Sequence, residues 1–242
     1  MNNKNIKNKG SLDIPTAIII AGFMIGISLI YALGRGNTPV TNPPLAQLKD
    51  AVLDDQPFKN VKPVTGEDHI FGDPNAPIKI VNFSDTECPF CKRFHTTMHE
   101  VAKNYDGKVA WVYRHFPLDS LHTKARKEAV ATECAASLGG NAKFWAYLDR
   151  LMEITPSNDG LDLAELPIIA KYIGLDVQQF QTCLDSGKFD AKIEAQYQDG
   201  LASGAQGTPY SVIINSKGPN STIEGAYPYN SVKQSIDKAL AL

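Results

Sequence analysis

The sequence predicts an α/β domain that carries an all-helical insertion and follows an N-terminal membrane-spanning helix. Three observations predict it. Residues 14–33 form an uncharged apolar run. Strand-like runs rich in β-branched and aromatic residues flank a long helix-rich stretch at about 119–204. At the junction of the first such strand with the following helix stand Cys88 and Cys91, separated by two residues.

Taken in order, residues 1–13 are a short tail containing Lys4, Lys7 and Lys9. The run 14–33 is twenty residues, and a helix of that length spans about 30 Å, the hydrocarbon thickness of a bilayer. Only Arg35 follows it closely, so the positive-inside bias leaves the tail in the cytoplasm and exports the rest as a single-pass membrane protein. A cleaved signal peptide is the alternative. Its apolar region is usually about 7–15 residues and ends in small residues, whereas this run ends Tyr31-Ala32-Leu33-Gly34-Arg35, which favours an uncleaved anchor. Residues 34–63, with Pro39, Pro43 and Pro44, read as a semi-flexible extracytoplasmic linker. The remaining 64–242 is one domain in length. In that compartment disulfides persist, so four cysteines fit. A net charge of −2 without a Lys/Arg cluster argues against nucleic acid as a partner.

The run 78–84 has the character of a buried strand, and after the cysteines Phe94, Met98, Val101 and Tyr105 recur at helical spacing. Cys88 then falls at a helix N-terminus, where unpaired N–H groups and the helix dipole favour a thiolate. Pro89 suits the first helical turn, which needs no N–H there. The pattern points to a redox dithiol. Two other readings compete. His95 and His99 extend the series toward a zinc site, but eleven helical residues rise about 16 Å, so Cys88 and His99 cannot share one ion. Two inert structural cysteines would have no reason to sit together at a strand-to-helix turn. No metal and no cofactor is expected.

Residues 108–116 read as a strand closed by Pro117. Helices follow at about 123–138, 142–154, 163–173, 177–186 and 190–203, punctuated by Gly139-Gly140, Gly174 and Gly187. Strand character returns at 210–215 and about 222–224, and an amphipathic helix at 231–241 closes the chain. His69, His115 and His122 are scattered and read as packing or solvent-facing residues.

Residues 71–94, with Gly72-Asp73-Pro74 ahead of the strand and Cys88-Pro89-Phe90-Cys91 after it, resemble the start of a DsbA-like thiol–disulfide oxidoreductase. So do Phe144-Trp145-Ala146-Tyr147 and Gly207-Thr208-Pro209. The resemblance covers 64–242. It implies a thioredoxin-like fold with a helical insertion, Cys88 as nucleophile and Cys91 as resolving thiol. It also implies a substrate-binding loop at Thr208 and Pro209, with Pro209 cis, and an active-site turn at Pro89 and Phe90. The chain departs from the family at Asn82, where many relatives carry a buried acid, so Asp85 and Glu87 are the nearest substitutes unless they are solvated loop charges. Phe90 replaces the histidine of the most oxidising relatives and offers the Cys88 thiolate no hydrogen bond. A weaker oxidant is expected.

Cys134 and Cys183 lie on apolar stripes of separate helices. A structural disulfide is the expectation, as in some relatives, with free buried thiols or a second redox couple as alternatives. The implied activity is transfer of the Cys88–Cys91 disulfide to reduced or misfolded exported proteins, with reoxidation by a quinone-linked membrane partner. The competing readings are a reductase or isomerase of the same fold, and a non-catalytic chaperone or binding module.

Overall fold

The computed structural model describes residues 56–242, and the anchor expected at 14–33 lies outside them. Among the described residues no helix is long and apolar enough to cross a membrane. The strands are β1 (His69–Phe71), β2 (Ile78–Ser84), β3 (Val109–His115), β4 (Tyr210–Asn215) and β5 (Gly218–Glu224). The helices are α1 (Pro89–Asn104), α2 (Ala125–Ile154), α3 (Glu165–Tyr172), α4 (Val177–Leu184), α5 (Asp190–Ala202) and α6 (Tyr229–Leu240).

The strands make one sheet in the order β1-β3-β2-β4-β5. Only β2 and β3 run parallel, connected through α1, and all other pairs are antiparallel. The central β2 is apolar on both faces because both are covered. Ile78 and Ile80 face a core with Phe94 and Met98 of α1 and Val232 and Ile236 of α6. Val81 and Phe83 face the other side, with Val112, Phe116 and Val212. There α5 approaches so closely that a Cβ on Gly200 would lie 2.4 Å from the Phe116 ring. The helices α2 to α5 enclose a second core of Leu151, Leu166, Ile169, Phe180 and Ile193. Gly140, at φ 75°, divides α2 into two arms, a conformation that favours glycine. In this core Cys134 and Cys183 are joined by a disulfide, with Cα atoms 5.8 Å apart.

Two details differ from the sequence reading. The strand β1 has too few residues to show a pattern. Residues 57–60, placed in the linker, form a 3-10 turn, followed by a buried Val61. The backbone N–H of Lys62 donates to Asp199, and Arg114, itself buried, pairs with Asp68 at 2.8 Å and Asp199 at 2.6 Å. A buried guanidinium needs such full pairing. The chain ahead of β1 is thereby tied to β3 and α5.

Candidate active site

Cys88 caps the N-terminus of α1 in extended conformation, at φ −78° and ψ 122°, and its carbonyl accepts the Lys92 N–H. Pro89 occupies the first helical position, where no N–H is required. Cys91, one turn into the helix, points into the core. Both are free thiols and both are nearly buried, Cys88 at 4% exposed and Cys91 at 1%.

Their environments separate their acidities. A hydrogen bond from the Cys91 thiol is the largest influence on Cys88, and the backbone N–H groups of Cys91 and Phe90 add to it against the effect of burial. The result lowers Cys88 from 9.0 to about 6. Burial, and then the neighbouring Cys88, push Cys91 well above the ordinary thiol range. Such a pair holds one thiolate at neutral pH, on the sulfur nearer solvent.

The Thr208–Pro209 peptide bond is cis, and its loop lies against the dithiol. The Cys88 thiol donates to the Thr208 carbonyl at 3.5 Å across 120 residues of sequence. The Pro209 carbonyl accepts the Gly225 N–H, anchoring the loop to the end of β5. Beside it opens a cavity of about 580 Å³ bordered by Pro57, Phe58, Gly207, Thr208, Pro209 and Glu224. Phe90 is 53% exposed, with the Arg93 guanidinium 5.2 Å from its ring centre. Asn82 is buried in β2, and its amide donates to Ser211 on β4.

Asp85 and Glu87 are not solvated loop charges, for both are buried. The Asp85 backbone N–H donates to Cys91 Sγ at 3.4 Å. Its carboxylate accepts from the N–H groups of Glu87 and Leu118 and lies 3.0 Å from His122 Nδ1. Burial raises Asp85 nonetheless, against these hydrogen bonds. Glu87 accepts the N–H groups of Gly160 and Leu161, at 3.1 Å each. Burial, and next the adjacent Glu87, push Glu128 up to about 9. Nothing in the local sequence singled out Glu128, which looks like an ordinary acidic residue of a helix. His69 and His115 are also buried, and both approach Glu133, at 3.0 and 3.3 Å.

The family model described as Thioredoxin matches residues 64–238. DsbA2 of Pseudomonas aeruginosa is 27% identical with a TM-score of 0.62, over 73% of this chain and 96% of that one. BdbD of Bacillus subtilis, in its oxidised form, has a TM-score of 0.66 over 75% of this chain and 97% of its own, and its 21% identity speaks for the fold alone. Among curated sequences, Na(+)/H(+) antiporter NhaA 1 of Mycobacterium sp. (strain KMS) is 32% identical over 160 residues, which are 65% of this chain and 25% of the antiporter. The chain thus spans about a quarter of the length of such curated relatives. The chain belongs to the thioredoxin family, and its fold is that of the DsbA-like proteins it resembles.

Proposed function

We propose that the protein is a membrane-anchored, extracytoplasmic oxidase that introduces disulfides into exported proteins through the Cys88–Cys91 couple. The observation that carries this reading is the Cys88 thiol at the α1 N-cap, lowered to about 6. A stabilised thiolate favours the reduced form of the couple, so the oxidised form readily gives up its disulfide. A substrate thiolate attacks Cys88 Sγ, the Cys88–Cys91 bond breaks, and the mixed disulfide forms while Cys91 leaves and takes up a proton. A second substrate thiolate then attacks the substrate sulfur and releases Cys88 as thiolate. The substrate loses two electrons and the couple gains them. The Thr208–Pro209 loop lies beside Cys88, where its backbone can pair with an extended substrate segment once the substrate displaces the Cys88 contact to the Thr208 carbonyl. Pro89 and Phe90 shape the turn, with the exposed Phe90 ring as an apolar contact. A quinone-linked membrane protein returns the electrons, and the run 14–33 anchors the chain.

The deciding experiment equilibrates the full chain with glutathione and measures the potential of the couple. An oxidase lies above about −180 mV, whereas a value below about −250 mV would identify a reductase. Oxidative refolding of a reduced substrate protein should disappear in Cys88→Ala, while a chaperone would keep its activity in that variant. Deleting residues 1–33 should move the protein from the membrane fraction to the soluble one.

A further inference from the structure

On the side of α1 that faces the second arm of α2, three ligand-type atoms converge. His95 and His99 stand one helical turn apart on α1, and Asp149 comes from α2. Asp149 Oδ1 lies 2.8 Å from His95 Nε2 and 2.8 Å from His99 Nε2, and the two nitrogens are 3.2 Å apart. It is the one group of three or more His, Cys, Asp or Glu side chains with metal-binding proximity among the described residues. We propose that this cluster is a binding site for a divalent transition-metal ion of the Zn²⁺ type, separate from the dithiol.

The distances carry the proposal. If both imidazoles aimed an Nε2–H at the shared oxygen, neither nitrogen would keep a lone pair for the other, and hydrogen bonding to Asp149 would leave their 3.2 Å approach without a purpose. A single cation accounts for all three spacings. A point about 1.1 Å out of the plane of the three atoms lies about 2.0–2.1 Å from each, the ordinary zinc distance to imidazole nitrogen and carboxylate oxygen. Two neutral imidazoles and one carboxylate suit a borderline metal and leave a fourth position open.

The surroundings fit. Trp111 meets both rings edge-on, with centroids 5.0 Å from His95 and 5.4 Å from His99, and fixes their orientation. His95 is 8% exposed, whereas the side chains of His99 and Asp149 are 33% and 43% exposed. The cluster borders a cavity of about 580 Å³ with no cysteine in its lining, which gives an ion an entry path and a place for a water ligand. The two cations beside it are engaged elsewhere. Lys92 donates to the carbonyls of Glu153 and Thr155, and Arg150 pairs with Glu153 over the Tyr172 ring. His95 Nδ1 has no hydrogen-bond partner. An outer hydrogen bond to a ligating imidazole raises metal affinity about 10–100-fold, and His95 lacks that contribution. A bound ion would tie the active-site helix to the helical block.

The full chain with Cys88–Cys91 oxidised, so that the thiols cannot compete, is titrated with Zn²⁺ against a chromophoric chelator. It is also titrated with Cu²⁺ while tryptophan emission is followed. The only two tryptophans are Trp111 and Trp145, 4.6 Å apart by centroid, so an ion here quenches all of that emission. The expected result is one Zn²⁺ per chain, and affinity at least about tenfold weaker in His99→Ala and in Asp149→Asn. These partly exposed positions lie on different helices, and circular dichroism checks each fold, so either variant alone decides. Absence of stoichiometric Zn²⁺ binding, or equal affinity in a folded variant, would overturn the proposal.

Discussion

At the scale of single residues, acidity is the property that sets the site apart. Cys88, held at about 6, should react with iodoacetamide in the dithiol form along a sigmoid with that midpoint, while Cys91 stays unreactive through neutral pH. Mass spectrometry of the alkylated peptides checks both, and a Cys88 midpoint near 9 would refute the assignment. Glu128, pushed up to about 9, is a neutral acid at pH 7. Its replacement by glutamine keeps the shape and the absence of charge, so Glu128→Gln should cost less than about 1 kcal/mol in urea unfolding at that pH. By contrast, Glu87→Ala strips the partner from the buried Leu161 N–H and the part-buried Gly160 N–H and should cost about 1–3 kcal/mol. The cysteines were visible as residues because their type is rare and their spacing is local, whereas Pro209 stood out only through the family resemblance of Gly207-Thr208-Pro209. The burial of Asp85 and Glu87 was not visible, since a charged pair in a loop looks the same whether or not distant N–H groups reach it.

At the scale of elements, two junctions carry testable weight. The contact of α5 with the sheet depends on Gly200, and a Cβ there meets both Phe116 and Phe83. Gly200→Ala should therefore destabilise by about 1–3 kcal/mol, although alanine is the better helix former. The Cys134–Cys183 bond closes a loop with a sequence separation of 49 in the helical core. Replacing both cysteines by alanine should lower stability by about 4 kcal/mol on the chain-entropy estimate, with Cys88 alkylation still showing its low midpoint. Denaturant unfolding beside the alkylation assay distinguishes loss of the staple from loss of the site. The long periodic elements were legible: β2, α1, β4 and the helices of the insertion lie within a few residues of where apolar spacing and glycine punctuation put them. The edge strand β1 was not, because three residues carry no period and its pairing with β3 is a long-range event.

At the scale of the whole molecule, the Cys88 thiolate links redox state to stability. Its pKa falls from 9.0 in an unconstrained thiol to about 6 in the folded dithiol form. A lowered value stabilises the fold above the unfolded value, and that contribution is lost as pH falls through the folded one. The dithiol form should therefore gain stability over the disulfide form between about pH 6 and pH 9, with the gain gone below about pH 6. Urea midpoints of both forms, measured near the two ends of this window, test it. A gap independent of pH would mean that the thiolate is not what stabilises the reduced protein.

By itself the sequence determined the α/β class, the helical block between β3 and β4, and a dithiol at the start of a helix. Each of these rests on local periodicity or on a short motif, and local signals survive without the fold. Only the tertiary structure decided which distant groups meet. It set the Thr208 carbonyl 120 residues away against Cys88, drew Gly160 and Leu161 onto Glu87, and brought Asp149 between His95 and His99. Those meetings depend on how helices and strands pack across one sheet, and no window of neighbouring residues records that packing.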